Sequence, residues 1–245
     1  MSEDLKRNRL LACLSAGERQ RLAEQGLRIE LRGGQILHEE LFHHAYFPTS
    51  GMISSEIMMP DGLPVPMIAA GREGGIGCAV EQPWNHVPVR SVVRLAGEAW
   101  RVPSSVWQNL TAQGQPRALR EAYHDLCLAE TQQTAACHLL HDVESRLCRW
   151  LLHIHDRMRG DVIPMTHAEL ADLASIRRTT VTLIVGSLEA ADIIANRRGA
   201  IEVSDRFALE AAACECYSAI RQLHDAFDRR FAIEPASERS GVLQH

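Results

Sequence analysis

The stretch MTHAELADLASIRRTTVTLIVGSLEAADII, Met165 to Ile194, constrains this chain more than any other. Thr166 followed three residues later by Glu169 is a capping box, in which each residue's side chain satisfies an orphan amide of the other at a helix start. A first helix is therefore expected from about His167 to Ala174. Leu170, Ala171 and Ala174 fall on its inward face, Ile176 lies at the turn, and Val181 and Ile184 continue the buried set into a second helix. Ala171 is small where two crossing helices must approach closely. Such an inward set suits a helix-turn-helix, whose second helix offers its N-terminal half to a major groove. The exposed positions of that half are Arg177, Arg178, Thr179 and Thr182, with Thr166 at the start of the first helix. Arginine reaches guanine O6 and N7 with two bonds, and threonine offers a hydroxyl or a methyl.

The flanking residues extend this reading. IIANRRGAIEVSD gives two short β-runs around Arg197-Arg198-Gly199, a hairpin whose tip carries two positive charges suited to phosphate contact. Together these make a winged helix-turn-helix. Upstream, Pro116 to Arg159 holds hardly a glycine or proline. Leu119, Ala122, Leu126, Ala129, Ala136 and Leu140 recur there in steps of three and four, with Gln133 filling the gap. That is a heptad seam of roughly three repeats, expected to pair with a second copy. A second helix is expected from Val143 to Met158, with Leu147, Trp150, Leu151 and Ile154 on one face and Gly160 and Pro164 ending it.

The first half has a different texture. A helical pattern from about Leu10 to Gln25 gives way to β-like runs, LRIELRGGQILHEE, HAYFPTSGMISSEIMMPDGLPVPMIAA and VRSVVRLAGEAWRVP. Gly33-Gly34 and Asp61-Gly62 sit between alternating segments, as hairpin turns do. The fold class expected is α+β: an antiparallel β-roll over residues 1–115, a dimerisation helix over 116–142 and a winged helix-turn-helix over 143–217. A C-terminal helix end and a mobile, polar tail complete the chain over 218–245.

At 245 residues the chain is long enough for two domains. Its net charge of −5 does not advertise nucleic acid, so a local patch has to carry any DNA contact; almost every positive charge is arginine. No export signal or membrane span is legible, and a soluble, cytoplasmic protein is expected. The seven cysteines are scattered without a C-x-x-C pair, which excludes zinc ribbons and fingers by spacing and points to reduced thiols. Cys214 and Cys216, two apart on an expected helix, face away from each other and are read as packing residues. CHLLH places Cys137, His138 and His141 within about one turn, but the two histidines, with His153 and His155, are read as solvated or interface histidines, so no metal site is expected. A Gly-rich phosphate loop, a nucleophile elbow and a catalytic carboxylate-histidine set are all missing from the sequence, which speaks against an enzyme.

In this order the segments resemble the cyclic-AMP receptor and fumarate-nitrate regulator (Crp/Fnr) superfamily of bacterial transcription factors. The resemblance runs from about Leu10 to Tyr217 and includes GGQIL, YFPTSG, GREGGIG, the helix-turn-helix and DRFALEAAACECY. It implies a cyclic-nucleotide-binding-like roll and a homodimer joined through the long helix. It also implies an inverted-repeat operator read by two recognition helices one duplex turn apart, with RNA polymerase as a candidate further partner. The alternative is a ligand-binding module whose helix-turn-helix serves protein contacts. Two departures stand out: Thr179 occupies the place of the family's usual glutamate, and Ser175 that of the turn glycine. In cyclic-nucleotide-binding members a glutamate takes the ribose hydroxyl and an Arg-Ser pair the cyclic phosphate; the similar residues are Glu73 and Arg90-Ser91. Their spacing is longer than the family pattern, which weighs against cyclic AMP bound in the usual way and leaves the effector open. Cys13 alone stands where an iron-sulfur member has a cysteine cluster, so such a cluster is not expected.

Overall fold

Local capping starts the chain: Asn8 accepts a hydrogen bond from the Leu11 amide to open α1 (Arg9–Ala12), and Ser15 with Glu18 forms a capping box for α2 (Ala16–Gln25). The computed structural model describes residues 3–37, 43–78 and 89–231. After α2 come β1 (Leu27–Leu31), β2 (His44–Met58), β3 (Pro64–Ala70) and β4 (Val89–Pro103), an antiparallel sheet of order β1-β4-β2-β3. The long strands β2 and β4 shift register between Pro48 and Ile53 and bend there, curling the sheet into the expected roll. Glycine makes the bend possible. A Cβ on Gly97 would lie 2.4 Å from the Ser50 carbonyl oxygen, and Gly51 has φ of +78°.

Asp61-Gly62 closes the β2–β3 hairpin as expected. Gly33-Gly34 does not reverse the chain onto β1. The Gly34 amide donates to the Val93 carbonyl and Ile36 pairs with Val92, so this turn carries the chain further along β4.

Next come α3 (Ser104–Leu110), α4 (Gly114–Leu140) and α5 (Val143–Asp156). Pro116 is tolerated in the first turn of α4 because an amide there has no intrahelical acceptor to lose. At His141 the backbone turns extended, and Asp142 caps α5 by accepting from the Ser145 amide at 2.9 Å. The second half is β5 (Val162–Ile163), α6 (His167–Ala174), α7 (Arg178–Ala190), β6 (Ile194–Arg197), β7 (Ala200–Val203), α8 (Arg206–Ala212) and α9 (Cys216–Arg230). Its sheet has the order β5-β7-β6; the segment before Pro164, expected only to break a helix, pairs with β7.

Two expectations change. Leu119, Ala122 and Leu126, assigned to a seam between two copies, are buried in their own chain against Phe47, Trp107, Leu10 and Leu11. Ala129, Gln133 and Ala136 are half-buried and Gln133 donates to Cys216 Sγ, while Leu140 is exposed. The free stripe of α4 lies one position round the helix, at Ala118, Glu121, Asp125, Leu128, Gln132, Ala135 and Leu139, all exposed. The second change is α9, a full helix antiparallel to α4 where only a helix end was expected. Phe227 meets Tyr123, His224 lies 3.4 Å from Glu130, and Asp228 pairs with Arg9 near the N-terminus. The expected mobile tail from residue 232 lies outside the described residues.

The roll and the helix-turn-helix share a core. Met52, Ala69 and Leu95 of the sheet join Leu147, Leu151, Leu170, Val181 and Leu209 in one buried cluster. Among the described residues no helix is long and apolar enough to cross a membrane.

Candidate nucleic-acid interface

The capping box forms as expected: Thr166 Oγ1 accepts from the Glu169 amide and donates to Glu169 Oε2 at 2.8 Å. This commits the Thr166 hydroxyl to the cap. Leu170, Ala171 and Ala174 are buried, as are Val181, Ile184, Val185 and Leu188 of α7, so the face of α7 opposite them is fixed by packing. Ser175 takes the left-handed turn conformation at φ 52°, ψ 50°. A non-glycine residue there costs about 1 kcal/mol. Its Oγ donates to the Pro64 carbonyl at 3.2 Å, an offset of similar size that ties the turn to the roll.

Arg177, the N-cap of α7, and Arg178, Thr179 and Thr182 on its first turns are all exposed. Neither guanidinium has a partner among the described residues. Thr182 Oγ1 donates to the Arg178 carbonyl at 3.1 Å and lies 3.0 Å from His167 Nδ1. His167 and Leu183, the latter 75% exposed, belong to the same surface and were missed from the sequence. The signal for Leu183 was available: it is apolar but out of phase with the buried 181, 184, 185 and 188, and an exposed apolar side chain here can meet a thymine methyl. At the wing, the β6–β7 hairpin turns at Arg198-Gly199, with Gly199 at φ +72°. Arg198 is exposed and unpaired among the described residues, whereas Arg197 Nη2 lies 2.7 Å from Glu202. The two wing arginines, read as equivalent, differ because β7 brings a carboxylate beside only one of them.

The residues expected to bind an effector are not brought together. Glu73 Oε1 lies 2.6 Å from Arg157 Nη2, accepts from Arg157 Nε at 2.8 Å and accepts from the Gly71 amide. Burial alone would raise this carboxyl; the Arg157 guanidinium outweighs it and holds it down to about 2. The carboxylate assigned to a ribose is thus a brace to the residue that ends α5. Arg90 and Ser91 lie in β4 opposite Glu56 and Ser55, and Arg90 is 3.5 Å from Glu56. Glu56 also takes both bonds from Arg94 Nη2, and Arg94 Nε donates to Ser54, a buried charged cluster on facing strands that the sequence reading did not single out.

The histidines and cysteines also sort differently. His138 bonds Arg146, and burial with that neighbouring charge pushes it down to about 4. His153 sits between the rings of Trp150 and Tyr217, and His155 bonds Asp161 and Arg206. Cys214 and Cys216 do not face apart. Cys214 precedes α9 rather than riding on it, and both thiols turn toward Cys137 and His141 at the end of α4.

Comparison with known proteins follows the same lines. Residues 145–212 match the family model described as the Crp-like helix-turn-helix domain. FixK2 from Bradyrhizobium japonicum is 15% identical with a TM-score of 0.61, the match covering 77% of this chain and 98% of that one. A Crp/Fnr-family transcriptional regulator from Thermus thermophilus is 19% identical with a TM-score of 0.60, covering 76% and 98%. The c-di-GMP-responsive global regulator CLP of Xanthomonas campestris is 18% identical with a TM-score of 0.58, covering 77% and 99%. At these identities the likeness to solved structures is one of fold. No curated protein sequence matches the chain.

Proposed function

We propose that this chain is a DNA-binding transcription regulator of the Crp/Fnr type, supported by the match of residues 145–212 to the Crp-like helix-turn-helix domain, and that it acts as a homodimer on an inverted-repeat operator and reads bases chiefly through Arg178. The observation that carries the reading is the pair of exposed arginines at the start of α7, without partners among the described residues, on a helix whose opposite face is locked in the core. A recognition helix needs that combination, rigid on one side and bearing free bidentate donors on the other. Arg177 and Arg198 hold phosphates on either side, and Thr179 replaces a carboxylate that would accept from cytosine. The dimer forms along Leu128, Gln132, Ala135 and Leu139 of α4, a stripe with two exposed leucines and free of both the roll and α9. The roll does not take cyclic AMP in the usual way, since Glu73 is committed to Arg157.

The test is a binding titration against an operator selected from random duplexes, at several salt concentrations. Arg178→Ala should lose about 1–3 kcal/mol on the selected site and little on random DNA. Equal losses on both would remove Arg178 from base reading, and no salt-dependent binding by the wild type would leave the helix-turn-helix to protein contacts.

A further inference from the structure

We propose that Cys137, His141, Cys214 and Cys216 bind one zinc ion, which pins the end of α4 to the segment between α8 and α9. One donor atom from each of the four lies within 4.8 Å of all the others. Cys137 Sγ is 3.5 Å from Cys214 Sγ, and Cys216 Sγ is 3.4 Å from His141 Nδ1. A tetrahedral zinc with bonds of about 2.3 Å to sulfur and about 2.0–2.1 Å to nitrogen separates its ligands by roughly 3.5–3.8 Å. The four side chains are therefore spaced for one ion.

Three surrounding features fit the ion. His141 Nε2 lies 3.0 Å from Glu215 Oε1. A carboxylate there holds the proton on Nε2 and leaves the Nδ1 lone pair free to ligate, the arrangement common behind metal-bound histidines. Gln133 Nε2 donates to Cys216 Sγ at 3.0 Å, a bond that a thiolate accepts better than a thiol. Arg149 is 1% exposed, its Nε and Nη2 have no hydrogen-bond partner, and no carboxylate pairs with it among the described residues. Burial pushes the Cys137 thiol up to about 12 and the Cys214 thiol up as well, and the nearby Arg149 charge opposes this only in part. A divalent ion with three thiolates and a neutral imidazole carries a net charge of −1, which is the counter-charge the buried guanidinium lacks.

The ligand types select the metal. Thiolates with an imidazole favour zinc over calcium or magnesium, and four protein ligands leave no open position, so the site is structural rather than catalytic. It joins residues 77 positions apart in the chain. Its binding free energy is thereby added to the docking of α9 and of the helix-turn-helix on α4. The inference does not depend on what the protein does to DNA.

Elemental analysis of the full, tag-free chain, purified under reducing conditions, tests it. About one zinc per chain is expected, retained through dialysis, and cobalt added to the metal-stripped chain should give the visible d–d bands of a tetrahedral thiolate site. Cys216→Ser and Cys137→Ser should lose at least about tenfold in zinc affinity, while Cys13→Ser, half-buried away from the cluster, keeps full zinc. Should the cluster variants fail to fold, the wild type decides: chelation should lower its Tm and added zinc restore it. The proposal is overturned by a wild-type chain that holds no zinc either as purified or after reduction and zinc addition. Iron with sulfide in place of zinc, an intact mass short of two hydrogens from a Cys137–Cys214 disulfide, or equal loss of zinc in Cys13→Ser would each overturn it as well.

Discussion

Replacing Glu73 by glutamine separates a ligand-binding carboxylate from an internal brace. Glu73 is 16% and Arg157 9% exposed at the side chain, with their closest contact at 2.6 Å. Holding the carboxyl at about 2 instead of 4.5 corresponds to about 3 kcal/mol of extra stabilisation of the ionised form, at about 1.4 kcal/mol per pH unit. Arg157 keeps the carbonyls of His153 and Ala69 as acceptors when the carboxylate is gone, which reduces the penalty of leaving it unpaired. Glu73→Gln is therefore expected to cost about 2–3 kcal/mol in urea unfolding at neutral pH. The folded carboxyl titrates below the unfolded one, so this contribution is complete above about pH 4.5 and is lost as pH falls toward 2. Wild type and variant should accordingly converge in acid. A double-mutant cycle with Arg157→Met isolates the pair. A Glu73→Gln cost, or a coupling energy, below about 0.5 kcal/mol would refute the brace and return Glu73 to the pool of residues free to meet a ligand.

Three further outcomes are expected. Arg198→Ala should weaken selected and random DNA alike and reduce the salt slope by about one, whereas Arg197→Ala, already neutralised by Glu202, should change the slope less; equal effects in a titration would contradict the ion pair. Leu128→Glu and Leu139→Glu should give folded monomers by light scattering, and a dimer that survives both would move the interface off this stripe. Leu126→Glu should instead destabilise the fold by at least about 3 kcal/mol, because it buries a charge among Phe47, Trp107 and Tyr123 of the same chain. A folded monomeric Leu126→Glu would restore the original seam.

The winged helix-turn-helix was legible almost residue by residue, because its signals are local. A capping box, a small residue at a helix crossing and a two-residue hairpin turn all act within a few positions of chain. The roll was legible in class for the same reason, through alternation and turn residues, yet Gly33-Gly34 was misassigned because a glycine pair marks a turn without saying which strand receives the chain. Side-chain partnerships across the fold were not legible. Nothing near Glu73 in sequence announces Arg157, and nothing near Arg94 announces Glu56 and Ser54.

Long helix α4 shows why periodicity alone cannot assign a face to a partner. It carries three stripes: one on the roll at Leu119, Ala122 and Leu126, one on α9 at Tyr123, Glu130 and Cys137, and one exposed at Leu128, Ala135 and Leu139. The strongest apolar repeat is the one used inside the chain, since burial in a domain core rewards apolar area most. A stripe kept for a second copy has to stay soluble in the monomer and so mixes Leu128 and Leu139 with Asp125 and Gln132. Spacing at Cys214 and Cys216 misleads for a related reason. Two residues apart diverge on a helix, but Cys214 precedes α9 and the two converge, so the chemistry available to the pair turns on where that helix starts. The amphipathic run Cys216, Tyr217, Ile220 and Phe227 contained that start, and following it would have put Cys214 ahead of α9 rather than on it.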